Sequence, residues 1–313
     1  MSSSEGEVLF GINNIYDVAL RGSPEDVQAV LRCRIKGKVL QSAKGEYSPL
    51  APGDIVEVQS TGDEGLIVAR RERRNVLSRW NRKRHRLQVL GTNLDRVFVI
   101  GCTGTPPFRP RFLDRALALC EHEAIDASIV INKIDLRLDP GAEERIEDYR
   151  RLGYEVIMTS AKGGTGLEVL RAICREEKVL LLGHSGVGKS SLLNRLLPGA
   201  NQKVGEVSSK YRRGRHTTNF AILYPVENGS IVDTPGIREL DLYPLSILEI
   251  SHGYREIRRF SEECAYPNCT HRREPDCAVI RAVESGAINL DRYQSYLFAV
   301  EDREATASRE EPG

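Results

Sequence analysis

The segment from Gly183 to Ser190 carries the strongest chemical pattern in the chain. It fits the spacing G-x-x-x-x-G-K-[ST] of a phosphate-binding loop. Glycines there let backbone N–H groups approach a phosphate chain, Lys189 supplies a positive charge, and the Ser190 hydroxyl can bind Mg²⁺. An apolar run at 179–182 precedes the loop and a helical pattern at 191–197 follows it. That strand, loop and helix order predicts a Mg²⁺-nucleotide site, with a chance glycine-rich turn as the alternative.

Two upstream motifs indicate which nucleotide binds. Asn132-Lys133-Ile134-Asp135 follows an apolar run and has the form N-K-x-D. The Asp135 carboxylate can accept hydrogen bonds from both the N1–H and the 2-amino group of guanine, whereas adenine has no matching donor pair. Thr159-Ser160-Ala161-Lys162 resembles the short S-A-K motif that contacts guanine from its other side. Either motif alone also fits an ordinary strand-to-turn sequence, but together they predict guanine.

Two downstream segments predict the Mg²⁺ and γ-phosphate contacts. Asp233-Thr234-Pro235-Gly236 fits D-x-x-G, in which Asp233 holds Mg²⁺ through water and the Gly236 amide faces the γ-phosphate. Gly214-Arg215-His216-Thr217-Thr218 lies where the first switch of a GTPase is expected. Thr217 or Thr218 completes the Mg²⁺ shell in this interpretation, with Thr218 favoured, and entry into a β-strand is the other interpretation of these threonines.

The order of these motifs is unusual. The guanine-reading motifs precede the phosphate loop, whereas in most GTPases they follow it. We therefore expect a circularly permuted α/β GTPase domain at residues 92–245, which is physically reasonable because domain termini often lie close together. In this order the second switch runs directly into the C-terminal region, where a nucleotide-driven change could be transmitted. The predicted nucleotide contacts are Asn132, Lys133, Asp135, Ser160, Ala161, Lys162, Gly183, His184, Ser185, Gly186, Val187, Gly188, Lys189, Ser190, Ser191, Thr217, Thr218 and Asp233.

The predicted hydrolytic machinery lacks one common part. Ile237 follows the D-x-x-G glycine, where many GTPases place a water-orienting glutamine, and an aliphatic side chain cannot position water. We expect slow intrinsic hydrolysis, supported by Lys189 and Gly236. His216 is the first candidate for the missing group; the alternatives are an RNA partner or one of Arg212, Arg213 and Arg215.

Four metal-ligating side chains lie close together near the C-terminus. Cys264, Cys269, His271 and Cys277 have the spacing C-x4-C-x-H-x5-C. Three thiolates and an imidazole form a closed tetrahedral set for structural Zn²⁺, with no position open for water. Reduced cysteines packed in a small helical domain are the alternative.

The remaining sequence predicts the elements around these sites. Short alternating runs separated by turn residues predict a β-barrel at residues 8–70, of the oligonucleotide-binding (OB-like) or the SH3-like type. Alternating strand and helix patterns predict a largely parallel central sheet. We expect a mostly α zinc-binding domain at 246–300 and a disordered tail at 301–313.

A strongly basic segment, predicted as a linker at residues 71–91, follows the barrel. Nine Lys or Arg residues and one acid, Glu72, occur between Arg70 and Arg86. Trp80 and His85 are interleaved with them, which would permit stacking on bases beside phosphate contacts. A solvated charged connector is the alternative.

Composition limits the remaining classes. The 313 residues carry a formal net charge of +1, so nucleic-acid binding must come from local clusters. Neither an apolar run of ~18 residues nor a signal-peptide pattern is present. Seven cysteines, an odd number, suggest a reducing compartment. We expect a cytoplasmic monomer with no membrane contact.

Taken together, these motifs resemble the bacterial small ribosomal subunit biogenesis GTPases, the RsgA/YjeQ family, over nearly the whole chain. Residues 33–38, 52–54 and 73–79 look like that family too. The resemblance implies GTP/GDP, Mg²⁺ and one structural Zn²⁺, binding to the small ribosomal subunit and its rRNA, GTP hydrolysis stimulated by the subunit, and a role in maturation of the decoding region. The alternatives are a nucleotide-gated RNA-binding scaffold with little turnover and a phosphoryl or RNA-modifying enzyme that uses the phosphate loop, for which the sequence shows no second catalytic cluster.

Overall fold

A computed structural model describes residues 3–21, 30–37, 39–40, 46–61, 64–197, 220–243 and 245–310. The chain divides into two compact units. Unit 1 contains Met1–Arg96, Leu170–Leu181 and Leu193–Gly236, and unit 2 contains Val97–Val169, Leu182–Leu192 and Ile237–Gly313.

The N-terminal part of unit 1 is a closed five-stranded barrel. Its strands are β1 (Ser3–Ile12), β2 (Ile15–Leu20), β3 (Val30–Ile35), β4 (Ile55–Thr61) and β5 (Glu64–Arg70). They follow the order β1-β2-β3-β5-β4, and β4 closes the barrel by pairing with β1. β3 and β5 pair in parallel and the other neighbours are antiparallel. Alternate side chains fill the core, including Val8, Val18, Val56, Val58 and Ile67. The predicted barrel is confirmed, with the Greek-key order of the oligonucleotide-binding type.

The predicted basic linker has a defined conformation, which is a β-hairpin. Strands β6 (Val76–Asn81) and β7 (Arg86–Thr92) pair antiparallel. The hairpin buries Leu77 and Leu90 while Lys83, Arg84, His85 and Arg86 are exposed. The charge run therefore marks the exposed tip and edge of an ordered element, because its apolar positions face inward.

The described residues of the α/β region contribute the next six strands and four helices. The strands are β8 (Arg96–Cys102), β9 (Asp126–Asn132), β10 (Glu155–Met158), β11 (Lys178–Gly183), β12 (Ile222–Val226) and β13 (Gly229–Asp233). The helices are α1 (Pro110–His122), α2 (Ala142–Arg151), α3 (Leu167–Glu176) and α4 (Lys189–Leu196). In unit 2, β9 lies between β8 and β10 and pairs with β10 in parallel. In unit 1, β13 pairs with β11 in parallel and with β12 antiparallel. Central strands such as β8 and β11 are almost entirely apolar and buried, as expected for a parallel sheet covered on both faces.

The C-terminal part of unit 2 is helical. It comprises α5 (Ile247–His252), α6 (Arg255–Ser261), α7 (Ala278–Glu284) and α8 (Leu290–Glu310). Within the described ranges, no helix is both long and apolar enough to cross a membrane.

The expectation of a disordered tail from residue 301 is wrong for residues 301–310, because α8 continues through them. Thr306 is buried and its Oγ1 donates to Asp241 Oδ2 at 3.1 Å. Arg303 Nε donates to the Leu245 carbonyl at 2.8 Å. The charged residues of this segment lie on a helix anchored by its other face, which composition alone does not reveal.

Candidate functional site

The phosphate-binding loop lies between the end of β11 and the start of α4 in unit 2. Gly186 and Gly188 have φ angles of +86° and +98°, which L side chains rarely adopt. A Cβ on Gly188 would lie 2.3 Å from Nδ2 of Asn132. Glycine is thus required at residue 188 both for backbone conformation and for close packing against the N-K-x-D motif.

Each carbonyl from Gly183 to Val187 is held by a side chain. Lys189 Nζ donates to Gly183 O at 2.7 Å and to His184 O at 3.2 Å. Ser185 O lies 2.9 Å from His184 Nδ1. Lys133 Nζ donates to Gly186 O at 2.8 Å, and Asn132 Nδ2 donates to Val187 O at 2.9 Å.

The anchored carbonyls determine where the loop's amides point. In a trans peptide the C=O and the following N–H point in opposite directions. A side chain that holds one carbonyl of this loop therefore turns the next N–H group away from that side chain. Successive N–H groups turned to one side of a glycine-rich loop at a helix N-terminus form a binding site for phosphate.

Asn132 joins this loop to the second guanine motif. Its Oδ1 accepts from the Ala161 amide at 3.1 Å and from Thr159 Oγ1 at 3.3 Å, and the side chain is buried. Since its Nδ2 is bonded to Val187, one side chain fixes the phosphate loop and the 159–162 segment together. The residues predicted from three separate sequence motifs are thus neighbours in unit 2.

Asp135 is exposed beside these residues, as a base-reading carboxylate must be. Ser160 Oγ donates to Asp135 Oδ1 at 2.5 Å. That hydrogen bond is the main cause of a lowered pKa of Asp135, with smaller contributions from Lys162 and Lys133. The lowered pKa favours the charged carboxylate, which is the form that the predicted recognition of guanine requires.

The predicted Mg²⁺ residues are only partly described. Asp233 ends β13, opposite Leu181 in the parallel register, and Thr234 Oγ1 donates to Leu181 O at 2.6 Å. Ser190 and Ser191 are exposed in the first turn of α4. His216, Thr217 and Thr218 lie outside the described residues, as do Arg212, Arg213 and Arg215.

The residue that follows Gly236 is packed against the phosphate loop. The Ile237 amide donates to Gly183 O at 3.2 Å, and the Ile237 side chain is buried. Position 237 therefore offers no polar group to a water molecule.

The loop between β8 and α1 belongs to the site, although the sequence motifs did not include it. Thr103 Oγ1 donates to Lys133 O at 3.1 Å, and Lys133 Nζ donates to the Thr105 carbonyl. Arg109 Nη1 lies 2.7 Å from Nε2 of His184. One signal was available, since this loop follows the carboxyl end of β8, and ligands of α/β sheets bind at the carboxyl ends of strands.

The four predicted metal ligands meet at one point in unit 2. Their ligand atoms all lie within 4.8 Å of one another. His271 Nδ1 is 3.6 Å from Cys264 Sγ and 3.5 Å from Cys277 Sγ, and these two sulfurs are 3.9 Å apart. A tetrahedron with Zn–S bonds of about 2.3 Å places its sulfurs about 3.8 Å apart, so the spacing fits Zn²⁺.

The backbone around the metal cluster is held by side chains of its own. The hydroxyls of Tyr293 and Tyr296 donate to the carbonyls of His271 and Thr270, each at 2.7 Å. The Glu274 carboxylate accepts from the backbone amides of Thr270 and Arg272. Although desolvation by burial opposes it, the hydrogen bond from the Thr270 hydroxyl, together with those from the backbone amides, lowers the pKa of Glu274. Residues other than the four ligands therefore help to hold the backbone of the metal cluster in place.

The phosphate loop, the guanine-reading residues that precede it and the α/β fold define a circularly permuted GTPase. Comparison with known proteins agrees with this class and identifies the family. The RsgA GTPase model matches residues 70–243. The chain is 39% identical over 298 residues to the small ribosomal subunit biogenesis GTPase RsgA of Borreliella afzelii, covering 95% of both proteins. It is 39% identical over 278 residues to the protein of that name from Chlorobaculum parvum, covering 85% of this chain and 89% of the relative.

Two solved structures are similar over almost the full length. YjeQ from Thermotoga maritima has a TM-score of 0.73 at 27% identity, covering 97% of this chain and 99% of YjeQ. YloQ, described as a circularly permuted GTPase, has a TM-score of 0.68 at 30% identity, covering 97% and 96%. The chain belongs to the RsgA GTPase family. It is a GTPase that hydrolyses GTP, and its family uses guanine nucleotide and Mg²⁺, as the sequence predicted.

Proposed function

We propose that this GTPase binds the small ribosomal subunit through its rRNA, hydrolyses GTP in response to that binding, and acts late in maturation of the subunit. The observation that carries the proposal is the 39% identity, over 95% of both chains, to a relative named small ribosomal subunit biogenesis GTPase. The matched length includes the barrel and the metal cluster as well as the GTPase domain. A ribosomal subunit would contact these modules, which lie outside the nucleotide site.

A dependence on the partner is consistent with the residues around the phosphate loop. The Ile237 side chain is 1% exposed, so no polar group from that position reaches the attacking water. Orientation of this water is one of the main contributions that a GTPase makes to catalysis. The group must come from elsewhere, and we assign it to His216 or to the bound subunit. Intrinsic turnover is expected to be slow.

The tip of the β6–β7 hairpin is the RNA-contacting surface that we favour in unit 1. Lys83, Arg84 and Arg86 are exposed there, and the Arg84 guanidinium carbon lies 4.3 Å from the centroid of the Tyr47 ring. Tyr47 is itself 41% exposed. Cations beside an accessible aromatic ring suit phosphates and unstacked bases, as in single-stranded RNA.

For the metal cluster we propose a structural Zn²⁺. Three sulfurs and one imidazole nitrogen fill all four positions of a tetrahedral ion, so substrate or water has no place on it. The ion would hold the segment between α6 and α7 in one conformation. We assign it no part in GTP hydrolysis.

Co-sedimentation and turnover test the proposed function together. The protein is mixed with purified small or large ribosomal subunits in the presence of GDP or a non-hydrolysable GTP analogue. We expect pelleting with the small subunit that is stronger with the triphosphate analogue, and GTP turnover that rises when small subunits are added. Equal pelleting with both subunits, or turnover that the small subunit does not raise, would contradict the proposal.

The hairpin is tested by the salt dependence of binding to small subunits. Replacing Lys83 and Arg84 with alanine should weaken binding and reduce the slope of log K against log salt by about one for each lost phosphate contact. The matched control is the Arg150→Ala/Arg151→Ala variant, which removes two adjacent exposed cations from α2. An equal change in both variants would assign the effect to overall charge and exclude the hairpin.

A further inference from the structure

Arg109 and His184 form a contact that the known motifs of the site leave without a role. Arg109 is the last residue before α1, and His184 is the second residue of the phosphate loop. Arg109 Nη1 lies 2.7 Å from His184 Nε2, and His184 Nδ1 lies 2.9 Å from Ser185 O. The Phe112 and imidazole rings are perpendicular, with centroids 6.1 Å apart. The imidazole thus has a partner on each nitrogen and an aromatic neighbour.

The chemistry of the two side chains determines the direction of these hydrogen bonds. A guanidinium can only donate, so Nε2 of His184 must accept and carries no proton. The proton of the neutral imidazole is then on Nδ1, which donates to Ser185 O. Arg109 therefore selects the tautomer that can hold the Ser185 carbonyl.

The Ser185 carbonyl is held by His184, whereas Lys189, Lys133 and Asn132 hold the other carbonyls of the series. Those three side chains hold the carbonyls of Gly183, His184, Gly186 and Val187. His184 holds the peptide between Ser185 and Gly186, whose N–H points the opposite way. An unanchored peptide in the middle of the loop would turn more freely and offer its amide to phosphate less of the time.

We propose that Arg109 is a positioning residue for nucleotide binding, which acts through the His184 imidazole to fix the Ser185–Gly186 peptide of the phosphate loop. Arg109 would act on the part of the phosphate loop that binds diphosphates and triphosphates alike. This role requires only guanine-nucleotide binding and is independent of any ribosomal partner.

Nucleotide affinity of single and double variants tests this role. Fluorescent GDP and a fluorescent non-hydrolysable GTP analogue are titrated into the wild type, Arg109→Ala, His184→Ala and the double variant. Loss of one hydrogen bond predicts that each single variant binds both nucleotides roughly 3- to 10-fold more weakly. The double variant should be no weaker than His184→Ala alone, because both changes break the same chain of contacts.

Conservative variants provide a readout that a purely structural role would not produce. His184→Gln keeps an acceptor for Arg109 and a donor for Ser185, and Arg109→Lys keeps a donor, so both should restore most of the lost affinity. The control is Arg111→Ala, which removes the same charge two residues away. The Arg111 guanidinium lies over the Phe298 ring at 3.7 Å, outside the loop, and its loss should leave affinity unchanged.

Three results would overturn the proposal. Unchanged affinity in Arg109→Ala would show that the contact does not support binding. Weakened binding of the triphosphate analogue with unchanged GDP binding would indicate direct contact between Arg109 and the γ-phosphate. Losses that add fully in the double variant would show that the two side chains act separately.

Discussion

Asp135 illustrates how single side chains set the chemistry of this site. Its carboxylate is exposed, yet the hydroxyl of buried Ser160 is bonded to it and lowers its pKa. The charged form therefore persists to lower pH than an ordinary aspartate would allow. Guanine recognition should consequently depend on both residues.

Asp135→Asn is expected to reverse base preference. The amide keeps one acceptor for N1–H but places an N–H donor against the 2-amino group of guanine, whereas it can donate to the 2-carbonyl of xanthine. GDP binding should therefore fall roughly 100-fold while xanthosine diphosphate binding improves. Calorimetry with both nucleotides measures the change. Asp126→Asn is the control, because that exposed residue begins β9, the strand that leads into the N-K-x-D motif. Retained GDP affinity in Asp135→Asn would remove Asp135 from base recognition.

Ser160→Ala is expected to raise the pKa of Asp135 toward its ordinary value, because the main cause of its lowering is removed. Binding that needs the carboxylate is complete above that pKa and is lost as pH falls through it. The acid limb of GDP affinity should therefore move to higher pH in Ser160→Ala. NMR titration of the Asp135 carboxyl carbon measures the shift directly.

Ser128→Ala is the matched control for this titration. Ser128 lies on β9 and donates to Glu155 Oε2 at 2.7 Å, and neither residue belongs to the guanine motifs. It should leave the Asp135 midpoint in place. A midpoint that is identical in the wild type and Ser160→Ala would contradict the assigned cause.

Among the elements, four helices of unit 2 meet at a buried ion cluster. Arg292 of α8 bonds Asp114 of α1 at 2.7 Å and Glu256 of α6 at 2.6 Å, and its side chain is 1% exposed. Arg145 of α2 also bonds Asp114, as does the Tyr149 hydroxyl at 2.7 Å. The cluster thus joins the helix that follows the β8 loop to the helices of the C-terminal region.

Arg292→Met should destabilise these helices by about 3–5 kcal/mol, because it leaves the negative charges of Asp114 and Glu256 less compensated in a buried site while nearly keeping the side-chain volume. Hydrogen exchange of α1, α6 and α8 measures the loss locally. Adding Glu256→Gln should recover part of it by removing one buried charge.

Arg150→Ala is the surface comparison for this cluster, since Arg150 forms an exposed pair with Glu147 on α2. Its effect should stay within about 0.5 kcal/mol. If Arg292→Met and Arg150→Ala lowered stability equally, burial would not make charge pairing more important for stability.

The β6–β7 hairpin and the end of α8 show the limit of predicting structure from composition. Charge composition predicts a linker at 71–91, yet Leu77 and Leu90 are buried in a β-hairpin. It also predicts a disordered tail, yet α8 continues to Glu310. In both cases a few apolar or buried positions outweigh many charged ones, because exposed charges are compatible with ordered structure.

For the whole molecule, the metal cluster has the largest expected effect on stability. Because ligands brought together only by folding couple metal affinity to folding free energy, chelation should lower the thermal midpoint and Cys277→Ser should abolish metal retention. Inductively coupled plasma mass spectrometry should find about one Zn²⁺ per wild-type chain. Cys174→Ser, at a buried cysteine outside the cluster, is the control and should retain the metal. A wild-type chain without bound zinc would exclude the proposed site.

Local sequence patterns are sufficient to predict the contiguous chemistry of this protein: the phosphate loop, the guanine motifs, their permuted order, the ligand quartet and the alternation of the barrel strands. These features are readable because each is a local backbone conformation or a short spacing with a specific residue requirement. Tertiary structure alone decided which side chains anchor the loop carbonyls, and it added Arg109, which lies 75 positions before His184. It also decided the buried cluster, in which Arg292 meets Asp114 across 178 positions. Contacts at such separations leave no local pattern, because they depend on how the chain packs and not on its neighbouring residues.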